Sequence, residues 1–170
     1  MKLILLSTFL GYVATASWAD AQPTTQERLQ IFPKSDYCRQ TGAFNGDYFC
    51  EAWRSGYDEN PDEFAGYVFL KTIDSANAEM RVLVGVFPNG EIAKVVVNGP
   101  EAIDDEFLEQ FEGKSLRSSF EIAKTLDDLL FVPAKIKAIS GKVEISEEIA
   151  KTVSALIKSA LDSPKLTFAK

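Results

Sequence analysis

Histidine does not occur in this sequence, and cysteine, methionine and tryptophan occur only twice each. The lack of histidine removes the commonest metal ligand and the side chain that most often serves as general base near neutral pH. It argues against a zinc site and against a serine triad. Runs of lysine or arginine are also missing. With 18 basic against 25 acidic residues the formal charge is −7, a balance that repels a phosphate backbone and excludes nucleic acid as a partner. Beyond the first residues there is no long apolar run, so no membrane span is expected once they are removed. At 46% hydrophobic and 25% charged, the composition is that of a globular domain and not of a disordered chain.

The opening residues have a pattern of their own. Met1 and Lys2 give a basic start, Leu3 to Ala14 a short apolar centre, and Ala19-Asp20-Ala21 a small-residue end. These are the three parts of a secretory signal, expected to be cut before Gln22. A cut after Ala19 fits the small-residue preference nearly as well. A retained anchor is the competing reading, and the apolar stretch is marginal for it, since a span needs about 20 apolar residues. Removal of residues 1–21 leaves a chain of ordinary single-domain size with a periplasmic or secreted destination. In an oxidising compartment Cys38 and Cys50 are expected to pair and to hold an otherwise irregular segment. Their spacing is not the C-x-x-C of a redox-active dithiol.

After a polar stretch, Ile31-Phe32-Pro33 is the first apolar anchor. Residues 34–63 are rich in Gly, Asp, Asn and aromatics, which predicts turns and short strands. Tyr37, Phe44, Tyr48, Phe49, Trp53 and Tyr57 either line a ligand face or, more plainly, pack against a sheet. Residues 66–71, 80–87 and 91–97 are β-rich. Asn89-Gly90 between the last two predicts a hairpin, because both residues tolerate positive φ. From residue 104 the apolar period becomes helical. Asp104, Asp105 and Glu106 mark a helix start and Gly113 its end. A second helix is expected within 119–130, with Phe120, Ala123, Leu126 and Leu130 inward and Pro133 as its bound. A third is expected over 147–161, where Ile149, Val153, Leu156, Ile157, Ala160 and Leu161 form one stripe, Lys151 and Lys158 lie off it, Ser146 is the N-cap, and Pro164 follows. The fold class is α+β: an antiparallel sheet with flanking helices, a single domain after a signal peptide.

Ala138-Ile139-Ser140-Gly141 leads directly into this last helix, a junction that aims backbone N–H groups outward. With Gly66-Tyr67-Val68, Val84-Gly85-Val86, Asn89-Gly90-Glu91-Ile92 and Phe107-Leu108-Glu109-Gln110-Phe111-Glu112-Gly113-Lys114, in that order, the succession resembles the FMN-binding domain family, which includes periplasmic flavoprotein subunits of Rnf and Nqr type. The resemblance covers most of 65–161 and leaves the disulfide-bearing segment 22–64 unexplained; it marks 65–170 as the FMN-binding-like part. In that family a loop Asp-x-x-Ser-Gly-Ala-Thr-x-Thr carries FMN, esterified to the final Thr. Here Ser140 and Gly141 match, but Lys137, Lys142, Val143 and Ile145 stand where the family has Asp, Ala, Thr and the acceptor Thr.

Ile145 has no hydroxyl, so covalent FMN at the usual position is chemically impossible. The resemblance therefore implies Ser140, Gly141, Lys142 and Ser146 as a candidate loop for a non-covalently held FMN phosphate. It also implies one of two functions. Either the chain is an accessory module that docks an envelope or respiratory protein partner, or it is a periplasmic electron carrier with non-covalent FMN. The altered motif favours the module. No acid–base pair suggests independent catalysis, and no metal ligand set is evident.

Overall fold

A computed structural model describes residues 22–44, 47–75, 78–100, 102–131 and 135–160. The leader with both cleavage sites, Pro133, Leu161 and Pro164 lie outside the described residues, as do the side chains of Phe44, Leu126 and Leu130. A short helix α1 (Thr25–Ile31) precedes strands β1 (Tyr37–Phe44), β2 (Asp47–Arg54), β3 (Glu63–Ser75), β4 (Ala78–Val86) and β5 (Ile92–Asn98). These are followed by α2 (Asp105–Glu109), β6 (Ile122–Ala123), α3 (Leu126–Phe131), β7 (Ile136–Lys137) and α4 (Val143–Ala160). Strands β1 to β5 form one antiparallel meander in chain order, and β6 pairs with β7 in parallel. The α+β class read from the sequence is the one observed.

Both faces of the large sheet are covered, which is why its central strands read as near-continuous apolar runs. Successive strand residues point to opposite faces. Tyr67, Phe69 and Ile73 of β3 join a core closed by α2 and α4, whereas Val68 and Leu70 join a second cluster with Ile31 and Phe32 at the end of α1. At the tip of the β4–β5 hairpin Gly90 takes φ 85°, whereas Asn89 keeps a negative φ, so the turn uses the glycine alone in this conformation. Helix α2 starts where the acidic run predicted, with the Asp104 side chain accepting from the Glu106 N–H at 3.0 Å. Gly113 then docks on β5 by donating to the Ile92 carbonyl.

Two expectations are corrected. Residues 34–63 contain two eight-residue strands, not merely short ones, and β1 and β2 belong to the same sheet as β3. Cys38 and Cys50 are disulfide-bonded across β1 and β2 with Cα atoms 5.7 Å apart. The plainer reading of the aromatics holds for Phe49 and Trp53, which pack edgewise or tilted against Tyr67, Phe69 and Phe64, and for Tyr48, on the opposite face. Tyr57 is exposed.

The second correction concerns the helix expected within 119–130, which occupies only the end of that range, so that Ala123 is not on it. Ile122 and Ala123 are extended and buried as β6, and α3 begins only at Leu126. On its helical side the break has a local cause. Thr125 and Asp128 cap α3 reciprocally: the Asp128 N–H donates to Thr125 Oγ1 at 3.2 Å, and the Thr125 N–H donates to Asp128 Oδ2 at 3.1 Å. Upstream, the Ile136 N–H donates to the Glu121 carbonyl, which holds this segment in the ladder with β7.

Candidate functional site

The loop between β7 and α4 holds Ser140, Gly141 and Lys142 of the residues singled out above, and Ser146 lies on α4. The Lys142 N–H donates to the Ile139 carbonyl at 3.0 Å, closing a turn over Ser140 and Gly141. Gly141 takes φ 72°, which only glycine adopts without strain, and a Cβ there would meet nothing within 4 Å. Ser140, Gly141 and Lys142 therefore reach the surface together, with Lys142 half-buried.

Ser146 does something other than expected. Helix α4 begins at Val143, because the Lys142 carbonyl already accepts from the Ser146 N–H at 3.1 Å, so Ser146 lies inside the first turn and is not the N-cap. Its hydroxyl is buried, accepts from the Ile139 N–H at 3.0 Å and donates to the Lys142 carbonyl at 2.8 Å. Both of its roles as a polar group are filled by the loop itself. Ile145 is half-buried and packs against the main core.

The electrostatics of the loop run against an anion. The depression beside it, about 680 Å³, is lined by Asp74, Glu144 and Glu148 as well as Lys142, so three carboxylates face one ammonium. On the other flank the Gln110 side chain holds β7 like a neighbouring strand, accepting from the Lys137 N–H at 2.7 Å and donating to its carbonyl at 3.1 Å. Among the described residues, no cluster of carboxylates or cysteines could hold a metal ion, and no helix is long and apolar enough to cross a membrane. The residues present do not fit an esterified flavin, and their charge does not suit a flavin phosphate resting on this loop.

A second concavity, missed from the sequence, lies along the outer side of α4. It measures about 920 Å³ and runs between that helix, the 116–122 segment and α3. Four lysines and three carboxylates line it. The only signal for it in the sequence was the placement of Lys151 and Lys158 off the apolar stripe; the opposite wall comes from residues about 30 positions earlier.

Within this groove Lys124 pairs with Glu147 at 3.1 Å, and Lys135 pairs with Asp128 at 3.0 Å. The Lys135 hydrogen bond, with those from the Lys124 and Thr125 backbone N–H groups, holds the Asp128 carboxyl down to about 2. A carboxyl with its folded value below its unfolded one stabilises the fold above the ordinary carboxylate range and loses that contribution as pH falls. Side-chain carbon NMR should show Asp128 titrating near pH 2, and the first amides of α3 should shift between about pH 4 and 2. An ordinary titration near pH 4 would refute the capping and ion-pair geometry.

Comparison with protein-family models finds none that matches the chain, and no curated protein matches it.

Proposed function

We propose that this chain is an exported domain of the FMN-binding type that holds no flavin ester and serves as an accessory, partner-binding module of an envelope redox assembly, in the periplasm. The observation that carries this reading is the fate of the two positions where a flavin could be attached. Ile145 offers only a half-buried hydrocarbon packed against the core, and the Ser146 hydroxyl is enclosed and hydrogen-bonded on both sides. The carboxylates of Asp74, Glu144 and Glu148 beside the loop favour the module over a carrier that binds FMN there non-covalently. The disulfide between Cys38 and Cys50 suits an oxidising compartment.

The test is to express the full chain in a host that flavinylates periplasmic proteins, purify the mature form, and record its intact mass and visible spectrum. The mass should lack FMN, titration with FMN should leave the flavin spectrum unperturbed, and cross-linking in intact cells should recover an envelope redox protein. Flavin that survives denaturation would sink the reading, and so would reversible uptake of FMN. The same experiment includes Ser146→Ala. Loss of the hydroxyl removes the partner of the part-buried Ile139 N–H and should cost about 1 kcal/mol in urea unfolding with no change in mass beyond the substitution.

A further inference from the structure

We infer that the groove along α4 is a binding site for a small organic anion with an aromatic body. The inference rests on the distribution of charge and apolar surface within the groove and is independent of the module reading. The floor is apolar: Leu116, Phe120, Ile122, Ala150 and Ala155 line it. Phe120 is half-buried and lies nearly parallel to Phe111, with ring centroids 6.3 Å apart and planes 20° from coplanar, so one ring is held flat by another. Small residues on α4 leave the space above it open; Ala150, Ser154 and Ala155 take the place that longer side chains would fill. The volume of about 920 Å³ is within the range of small-molecule sites.

The rim selects the charge. All three carboxylates in the groove are already engaged: Glu147 by Lys124, and Asp128 and Glu121 by Lys135 at 3.0 and 3.8 Å. Lys151 and Lys158 are exposed and make no ion pair among the described residues. They stand two turns apart on one face of α4, roughly 10 Å along its axis. In a chain with formal charge −7 this groove carries an excess of ammonium groups beside aromatic surface. A planar carboxylate or sulfonate satisfies both, placing its ring over Phe120 and its charge between the two lysines. The acidic depression at the β7–α4 loop has the opposite preference and serves as an internal contrast.

The probe is 8-anilinonaphthalene-1-sulfonate, with N-phenyl-1-naphthylamine as its uncharged analogue, titrated by fluorescence into the mature chain at low and at physiological salt. The sulfonate should bind one site. Lys151→Gln/Lys158→Gln should weaken it about tenfold, the loss of two charge-assisted contacts, while the neutral analogue changes less than about twofold. Amide NMR shifts on sulfonate addition should centre on Ser154 and Ala155, and the variant's thermal midpoint should match that of the parent. Three results would each overturn the proposal: unchanged sulfonate affinity in the variant, equal loss for both probes, or shifts centred elsewhere. A short poly-glutamate peptide that competes as strongly as the sulfonate would also overturn it, because the lysines would then be reading charge without an aromatic body.

Discussion

Exchange of Arg81 for methionine should lower the unfolding free energy by about 3–5 kcal/mol, because it strands a buried carboxylate. The Glu27 side chain is only 7% exposed and that of Arg81 21%. The guanidinium donates from Nε to Oε1 at 2.8 Å and from Nη2 to Oε2 at 2.9 Å, and Asn98 Nδ2 adds a longer bond at 3.3 Å. The same carboxylate closes the cap of α1 by accepting from the Thr24 N–H at 2.8 Å. One side chain thus caps a helix and fastens it to β4. Burial pushes the Glu27 carboxyl up, but the hydrogen bonds and charge of Arg81, with the Thr24 contacts, outweigh it and hold the group below its ordinary value. The pair therefore stabilises the fold above the unfolded carboxyl's range and loses its effect as pH falls. Without Arg81 burial dominates, and the cost of the variant should grow as pH rises through the carboxylate range. Urea unfolding of Arg81→Met, Glu27→Gln and the double variant should show the double recovering part of the loss. A single variant within about 1 kcal/mol of the parent would mean that solvent reaches the pair and that α1 is held by packing alone.

Alanine at Gly66 should be of similar severity, about 3–5 kcal/mol, from two causes that add. Gly66 has φ 150°, outside the range of L side chains, next to the register shift between Ala52 and Trp53 where β2 pairs with β3. A Cβ there would lie 2.3 Å from the Val86 carbonyl oxygen and 2.7 Å from Phe32 Cζ. Backbone strain contributes about 1–3 kcal/mol and forced repacking about as much again. Gly141→Ala is the control. Its φ of 72° is also unfavourable for alanine, but nothing lies within 4 Å of the added carbon, so only the strain of about 1 kcal/mol should appear. Equal stability of Gly66→Ala and the parent would show that the bulge can be removed without cost. Equal losses at the two glycines would show that crowding adds nothing at position 66.

What reasoning from residues reached and what it missed divide by the range of the forces involved. The β4–β5 hairpin was legible because Asn89-Gly90 needs no partner beyond its own two strands. Helix α4 was legible because the stripe from Ile149 to Ala160 repeats at the helical period, and these residues are buried as it implied. Its start was misplaced. A serine before an acidic residue reads as an N-cap, but the Ser146 hydroxyl is turned inward by the Ile139 N–H, a contact formed only when the loop folds back. Similarly, Ile122 and Ala123 carry an apolar pattern compatible with a helix. They become a strand because β7, more than ten residues later, supplies the ladder. Strands β1 and β2 were obscured by their turn-forming and aromatic composition, and their place on β3 supplies the pairing that composition could not reveal.

The sequence by itself determined the acidic charge, the absence of any imidazole chemistry, the α+β class, the presence of two cysteines and the hydrocarbon side chain at position 145. The composition follows from side-chain identity, which folding does not alter, and the class from the hydrophobic period and turn residues of near neighbours, while the disulfide forms where β1 meets β2. Only the tertiary structure decided that Asp74 joins Glu144 and Glu148 beside the loop, that Glu27 is buried against Arg81, and that Lys151 and Lys158 line the same groove as Phe120. Those juxtapositions join residues far apart in the chain, and chain separation carries no record of distance until the sheet and α4 close on one core.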